Sequence, residues 1–383
     1  MSSRSRSRSR IVVLGAGFGG LELSTILSDA LGDELDLTLI DETDSFVFGF
    51  SKLDVMFGRK QPEAVRLPYS EVAKPGVRLL KERITEIDPE ARRVTTDEGV
   101  HEADVLVIAL GADYDMDATP GLAEGGNEFY SEAGAERLAG IIPGFSEGHA
   151  VIGVADAPFK CPPAPSECAL LLHDELVARG VRDACEITFA LPLPRPVPPS
   201  PETSQALERA FAERDINFIP GRRFSSIDPA RSVAVLDDGA ELEFDLFLGV
   251  PKHRAPDVVI ATGMTEDGYI PVDSATLRTN YPGVYAFGDV ATVGVPKAGV
   301  FSESAAKIVA QHLIAELAGG DDPGPYPGRG SCYIEFGGGL VGRVDIDFLS
   351  GPEKTGTFNA PSEAITAEKQ RFGSTRAARW FGR

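Results

Sequence analysis

Gly15-x-Gly17-x-x-Gly20, with Phe18 and Gly19 filling the interval, lies between the β-branched run Ile11–Leu14 and Leu21–Leu31, whose apolar residues fall at helical spacing. Asp41 follows 21 residues after Gly20, at the end of the largely alternating run Leu35–Ile40. Glycines in such a turn let the backbone approach a pyrophosphate. The helix N-terminus offers unpaired N–H groups, and the acid accepts a bond from a ribose hydroxyl. The pattern is that of a dinucleotide site and does not by itself separate FAD from NAD. Sulfur supplies a second chemistry. Cys161 stands in Phe159-Lys160-Cys161-Pro162-Pro163, just ahead of an expected helix. The helix N-terminus and Lys160 are expected to depress its pKa and favour the thiolate. Cys332, in Gly330-Ser331-Cys332-Tyr333, comes 171 residues later, and the spacing alone does not bring the two together. Cys168 and Cys185 fall among apolar residues and read as buried, inert thiols. Cys161-x6-Cys168 is not ligand-pair spacing and no His pair accompanies it, so no metal site is expected. Glu167 is either a proton acceptor or an acid that the macrodipole favours in a helix's first turn.

These residues need a scaffold, and the order of elements supplies one. Strand, glycine turn, helix and strand make the first half of a doubly wound sheet. Val77–Leu80, Arg92–Thr96 and Asp104–Leu110, closing on Gly111, read as further strands. The pattern then restarts with a strand at Ala150–Val154, a helix at Ser166–Arg179 and a strand at Cys185–Leu191. Six prolines between 192 and 201 make a loop, since proline sustains neither ladder nor helix. Pro201–Arg214 follows as an amphipathic helix, and Val233–Leu236 with Glu241–Leu248 as a hairpin. Tyr285–Asp289 leads to a helix at Ser302–Leu317, a Gly/Pro/Asp-rich linker at Gly319–Gly330 and a hairpin, Cys332–Phe336 with Leu340–Phe348, turning at Gly337–Gly339. The fold class expected is α/β: two Rossmann-like, doubly wound, three-layer dinucleotide-binding domains plus a small α+β C-terminal domain. Residues 11–112 and 256–318 would form the first domain, 113–255 the second and 319–383 the third, after a disordered basic tail at 1–10. In the second domain the turn reads Gly153-Val154-Ala155-Asp156-Ala157-Pro158. Pro158 removes an N–H and Asp156 brings negative charge where a pyrophosphate would sit, so the nicotinamide site is expected to be lost.

Composition narrows the function. The 383 residues carry 37 Lys+Arg against 58 Asp+Glu, a net charge of −21, which repels phosphate backbones and argues against nucleic acid as partner. The longest apolar run, Val105–Leu110, is far too short to span a bilayer. Four cysteines are too few for a disulfide-stapled secreted scaffold. The first ten residues hold four arginines and no acid, and the glycine-rich segment after them lacks a cleavage site, so a solvated tail is expected rather than a signal peptide. A cytoplasmic protein is expected, with no spanning segment and at most peripheral on the inner face of the membrane; a homodimer is allowed.

Three motifs in order resemble the FAD contacts of the pyridine nucleotide–disulfide oxidoreductase superfamily: the glycine loop, Ala109-Leu110-Gly111-Ala112, and Val284-Tyr285-Ala286-Phe287-Gly288-Asp289. The resemblance implies FAD as cofactor, with Gly111 and Gly288 in contact and Asp289 bonding the ribityl chain. Phe159–Glu167 further resembles the sulfide:quinone oxidoreductases and the flavoprotein subunit of flavocytochrome c sulfide dehydrogenase. That likeness implies a redox-active Cys161–Cys332 disulfide beside the flavin and Glu167 exchanging protons with hydrosulfide. It also implies that Lys297, in Val295-Pro296-Lys297-Ala298-Gly299, lies near the flavin, where a cation stabilises the anionic reduced form. The donor implied is a small sulfur compound, and the acceptor a quinone or a soluble carrier. His253, between Pro251 and Pro256, reads as a loop residue. No cysteine occurs in Asp41–Ser51, so the FAD should be non-covalent. Lys369–Arg383 carries five positive charges and no acid; it is expected to dock on the acidic body, with contact to an anionic bilayer as the other use. An NAD(P)H-dependent disulfide or quinone reductase and a non-catalytic FAD-binding partner protein are the alternatives.

Overall fold

A computed structural model describes residues 8–383. The basic start lies outside the described residues as far as residue 7, and Arg10 already opens the first strand, its N–H bonded to the Asp104 carboxylate at 2.8 Å.

The first sheet is all-parallel, ordered Val284–Ala286, Val105–Ile108, Arg10–Leu14, Asp36–Asp41, Val77–Lys81. Its central strands are apolar on both faces because layers cover both, as parallel sheets require. The helices Phe18–Leu31 and Gly299–Ala318 pack together against it. The second sheet is a parallel set of four, ordered Ile216–Pro220, Cys185–Leu191, Gly148–Val154, Leu246–Val250. It carries the helices Ala164–Ala178 and Pro201–Glu213. Two doubly wound units are therefore present, as the sequence pattern expects.

One expected hairpin is corrected. Val233–Leu236 pairs antiparallel with Glu241–Glu243 and with Phe224–Asp228, while Leu246–Val250 leaves to join the parallel sheet beside Gly148–Val154. All five residues of that strand are buried, and a strand apolar on both faces belongs inside a covered parallel sheet rather than on a surface hairpin.

The third unit is an antiparallel sheet of Arg329–Glu335, Val341–Asp347 and Thr355–Ser362. Gly337, Gly338 and Gly339 all have positive φ at its first turn, a conformation that side chains resist. The helix Glu363–Phe381 follows, capped where the Ser362 hydroxyl accepts the Ile365 N–H. Among the described residues no helix is long and apolar enough to cross a membrane.

The second sheet depends on its aromatic packing. Phe189 is fully buried and its ring meets Phe211 and Phe218 at 5.7 and 5.3 Å. Phe189→Ala is expected to cost about 3–5 kcal/mol, read as a fall in the denaturant midpoint of this unit.

Candidate active site

The glycine loop is shaped by close approach. Gly15 has φ +97°, and a Cβ on it would lie 2.5 Å from the Ala109 carbonyl oxygen. A Cβ on Gly20 would lie 1.9 Å from the Gly15 oxygen, and one on Gly19 would meet the Phe287 ring at 2.4 Å. Gly17 is different: nothing lies within 4 Å of its Cβ position. It caps the helix Phe18–Leu31 without any side-chain bond, so the first N–H groups of that helix remain available. Gly17 faces a cleft of about 840 Å³ that is also lined by Asp41, Gly111, Gly288, Asp289 and Lys297.

The acids at the cleft hold different places. Asp41 accepts the Ala16 N–H at 2.7 Å through Oδ2, and the Thr43 N–H and hydroxyl at 2.9 and 2.7 Å through Oδ1. It therefore ties the loop down, and Oδ2, which accepts one bond, keeps a lone pair for a ribose hydroxyl. The Asp289 Oδ1 is buried and has no hydrogen-bond partner among the described residues. An orphaned acceptor at the wall of a cleft suits a ligand hydroxyl, since an unmet buried acceptor is costly. The open Gly17 cradle, the free helix N-terminus and this acceptor fit a bound dinucleotide.

Three lysines surround the same cleft. Lys297 is buried, donates to the Asp289 carbonyl oxygen at 2.7 Å and sits 3.4 Å above the Tyr269 ring. Lys160 donates to the Ala112 oxygen at 2.7 Å and lies 4.2 Å above the Tyr114 ring. Lys52 donates to the Tyr130 oxygen at 2.7 Å. Burial lowers the pKa of all three, that of Lys160 and Lys297 to about 8. Lys52 was not singled out by the sequence, and no local pattern marks it.

Cys161 precedes the helix Ala164–Ala178, and Cys332 lies on the strand Arg329–Glu335 that packs against it. The N–H of Cys161, at φ +47°, donates to the Lys297 carbonyl oxygen at 2.7 Å, and its own carbonyl accepts the Ala164 N–H at 2.9 Å. These bonds tie the cysteine to the helix start and to the Pro-Lys segment. Glu167 is 2% exposed, and its Oε1 accepts the Glu335 N–H at 2.9 Å. Glu335 ends the strand that carries Cys332. Cys161 and Glu167 line the cleft, and Cys332 packs against the same apolar cluster as Cys161. All four cysteines are free thiols, with Cys168 and Cys185 buried.

The expected thiolate is corrected. Burial pushes the Cys161 thiol well up, and the charges of Glu167 and Cys332 push it further. Lys160 does not oppose this because its ammonium is turned to the Ala112 carbonyl. Cys332 is raised to about 12 by burial and by Glu167 and Asp345. Burial also lifts Glu167, to about 7, against the pull of Lys369, whose Nζ is 3.9 Å away. Lys369 reaches it from the helix Glu363–Phe381 while bonding Glu335 at 2.5 Å. The sequence left Lys369 in a basic tail; only the docking of that helix makes it part of the site.

His253 is also corrected. It lies in a short strand, Lys252–Arg254, paired with Asp113–Asp115, and is buried with its ring edge-on to Tyr114 and Tyr130 at 5.0 and 5.3 Å. Burial holds its pKa down near 3, so it is neutral, and its Nε2 has no hydrogen-bond partner among the described residues. In the second unit, the Phe224 ring closes over Gly153, 1.8 Å from where a Cβ would stand. Asp156 is engaged with Arg223 at 3.5 Å and Lys252 at 3.8 Å. Among the described residues no group of three His, Cys, Asp or Glu could hold a metal ion.

Paired parallel sheets with a dinucleotide cradle beside buried thiols define an α/β oxidoreductase. The model of the pyridine nucleotide-disulphide oxidoreductases matches residues 9–153 and 166–310, and the chain belongs to that family. It is similar to the mitochondrial sulfide:quinone oxidoreductase of Mus musculus, 25% identical over 371 residues that cover 93% of this chain and 82% of that protein. The sulfide-quinone reductase of Aquifex aeolicus is 27% identical over 354 residues, covering 85% of this chain and 81% of that one. The crystal structure of the sulfide:quinone oxidoreductase from Aquifex aeolicus superposes with a TM-score of 0.85 at 24% identity, over 96% of this chain and 90% of that chain.

Gly20→Ala forces a methyl group against the Gly15 carbonyl and must move the loop. That variant is expected to purify with much less bound dinucleotide than the parent, read as visible absorbance per mole of folded protein.

Proposed function

We propose that this chain is an FAD-dependent oxidoreductase that oxidises sulfide, or a closely related sulfur nucleophile, through a Cys161–Cys332 redox disulfide and delivers the electrons to a quinone or a soluble acceptor. The observation that carries the reading is that Cys161 and a buried Glu167 line the dinucleotide cleft, while the strand that carries Cys332 is bonded to Glu167 through the Glu335 N–H. The FAD is taken as non-covalent. Residues 11–112 and 256–318 would hold it, 113–255 would keep the dinucleotide fold without a nicotinamide, and 319–383 would deliver Cys332. The Phe224 ring over Gly153 and the engaged Asp156 support a closed second site.

The chemistry starts with the oxidised pair. Hydrosulfide attacks one sulfur of the disulfide, a new S–S bond forms, and the old one breaks. One cysteine becomes a persulfide and the other leaves as a thiolate, so the disulfide gains the two electrons that the sulfide sulfur loses. The proton of the hydrosulfide passes to the Glu167 carboxylate, which burial makes basic enough to hold it near neutrality. A bound flavin supplies a two-electron acceptor that can also be reoxidised by a quinone. Gly15, Gly17, Phe18, Gly19, Gly20, Asp41, Gly111, Gly288 and Asp289 are proposed to hold it. Lys52, Lys160 and Lys297 place positive charge around the cleft, which favours an anionic cofactor. Because thiol ionisation is suppressed by burial, a free thiolate is expected as the product of disulfide cleavage rather than as a resting group. The protein is read as cytoplasmic, meeting the membrane peripherally at most.

Cys161→Ser and Cys332→Ser are each expected to lower sulfide-dependent quinone reduction by more than about a thousandfold while leaving bound FAD unchanged. Full activity in either variant would contradict the disulfide route. The base form of Glu167 grows as pH rises through about 7. The ratio of parent kcat/KM to that of Glu167→Gln should therefore climb across that range, while the ionisation of sulfide itself cancels between the two proteins. A ratio independent of pH would remove Glu167 from proton transfer.

A further inference from the structure

We propose that Trp380 and Arg379 are positioning residues for the cofactor: they hold the glycine loop in its binding conformation by clamping Glu22 and Phe18 at the start of the helix Phe18–Leu31. This inference rests on the FAD reading above.

Glu22 lies two residues beyond Gly20 and is 2% exposed. A carboxylate buried to this extent needs partners, because losing water without replacement is costly. Its hydrogen-bond partners among the described residues come from the other end of the sequence. The Trp380 indole N–H donates to Oε2 at 2.8 Å, and the Arg379 Nε donates to the two oxygens at 3.0 and 3.3 Å. Trp380 is fully buried and meets the Phe18 ring edge-on at 5.6 Å, with Phe46 at the same distance. Its neighbour Phe381 stacks on Tyr69 at 6.5 Å, and the Tyr69 hydroxyl donates to the Ala16 carbonyl at 2.9 Å. Ala16, Phe18 and Glu22 thus each have a tie to the same helical turn.

That turn is itself pinned. Lys74 donates to the Arg379 carbonyl at 2.6 Å, Arg379 reaches Asp29 at 3.4 Å, and Arg383 pairs with Glu71. Arg376 pairs with Glu303 at 2.7 Å. The basic charges here are thus spent on acids of the body. The loop they brace presents the open Gly17 and the free N–H groups to the cleft. Holding such a cradle before the ligand arrives strengthens binding, because the ordering cost has already been met.

The test uses full-length protein from which FAD has been removed, with FAD itself as the probe. Its Kd is measured by ultrafiltration for the parent, Trp380→Phe, Glu22→Gln and the double variant, alongside thermal unfolding of each apo form. Trp380→Phe keeps an aromatic ring and removes the indole N–H. Each single variant should raise the FAD Kd about tenfold, and the double variant should raise it by less than the product of the two, since both changes act on the contacts of one carboxylate. Phe189→Ala, remote from the loop, should lower stability and leave the Kd unchanged. If the parent binds FAD and the variants bind it equally well, the clamp is a packing feature only and the proposal is overturned. A parent that binds no FAD overturns the cofactor reading, and this inference with it. Should Trp380→Phe fail to fold, Arg379→Ala, at a side chain 41% exposed, decides the same question by the same Kd.

Discussion

The hydrogen bond from the Glu335 N–H to Glu167 Oε1 joins residues 168 positions apart and determines how the sulfur site is assembled. Glu167 belongs to a helix of the second sheet and Glu335 to a strand of the third unit. Bringing the carboxylate out of water demands a donor, and the backbone of the Cys332 strand supplies it. Once the strand is seated, Cys332 is carried to the helix start where Cys161 lies. The Glu335 side chain then gathers Lys369 at 2.5 Å and Arg59 at 2.7 Å, so that two acids and two bases share one network with Arg59 at its exposed edge. Burial outweighs the nearby cations at Glu167 and leaves its proton in balance near neutrality. A group poised in this way suits proton exchange better than an exposed glutamate would.

Charge is distributed against the overall composition. The chain carries a net charge of −21, yet Lys52, Lys160 and Lys297 line the interior cleft. Each is directed at a carbonyl oxygen, of Tyr130, Ala112 and Asp289 respectively, instead of a carboxylate. A carbonyl fixes the ammonium in place without cancelling its charge, so each of the three can still attract a phosphate or an anionic ring. The buried acids Glu303 and Glu22 meanwhile pair with Arg376 and Arg379 of the helix Glu363–Phe381, which binds that helix to the body.

The parts of this arrangement that were legible in the sequence are local. The glycine loop, Asp41 and the two rounds of strand and helix follow from spacing and period, because a parallel sheet leaves a continuous apolar signature. Leu246–Val250 misled as half of a hairpin because sequence proximity to Val233–Leu236 competed with its two-sided burial, and burial won. The Cys161 thiol misled for a different reason. Adjacent Lys160 suggests a thiolate, but the direction of a lysine side chain is a tertiary fact, and here it points to Ala112. Lys369, Lys52 and His253 carry no local mark at all. Each acquires its place only when distant elements pack, as does the tie between Glu22 and Trp380.

The central claim is that electrons enter through sulfur at a site where a nicotinamide does not bind. An anaerobic absorbance titration of the FAD-loaded protein, with sulfide in one series and NADH in the other, addresses it directly. The account predicts loss of the oxidised flavin band on the first additions of sulfide, with NADH inert. Rapid bleaching by NADH, with sulfide without effect, would contradict it.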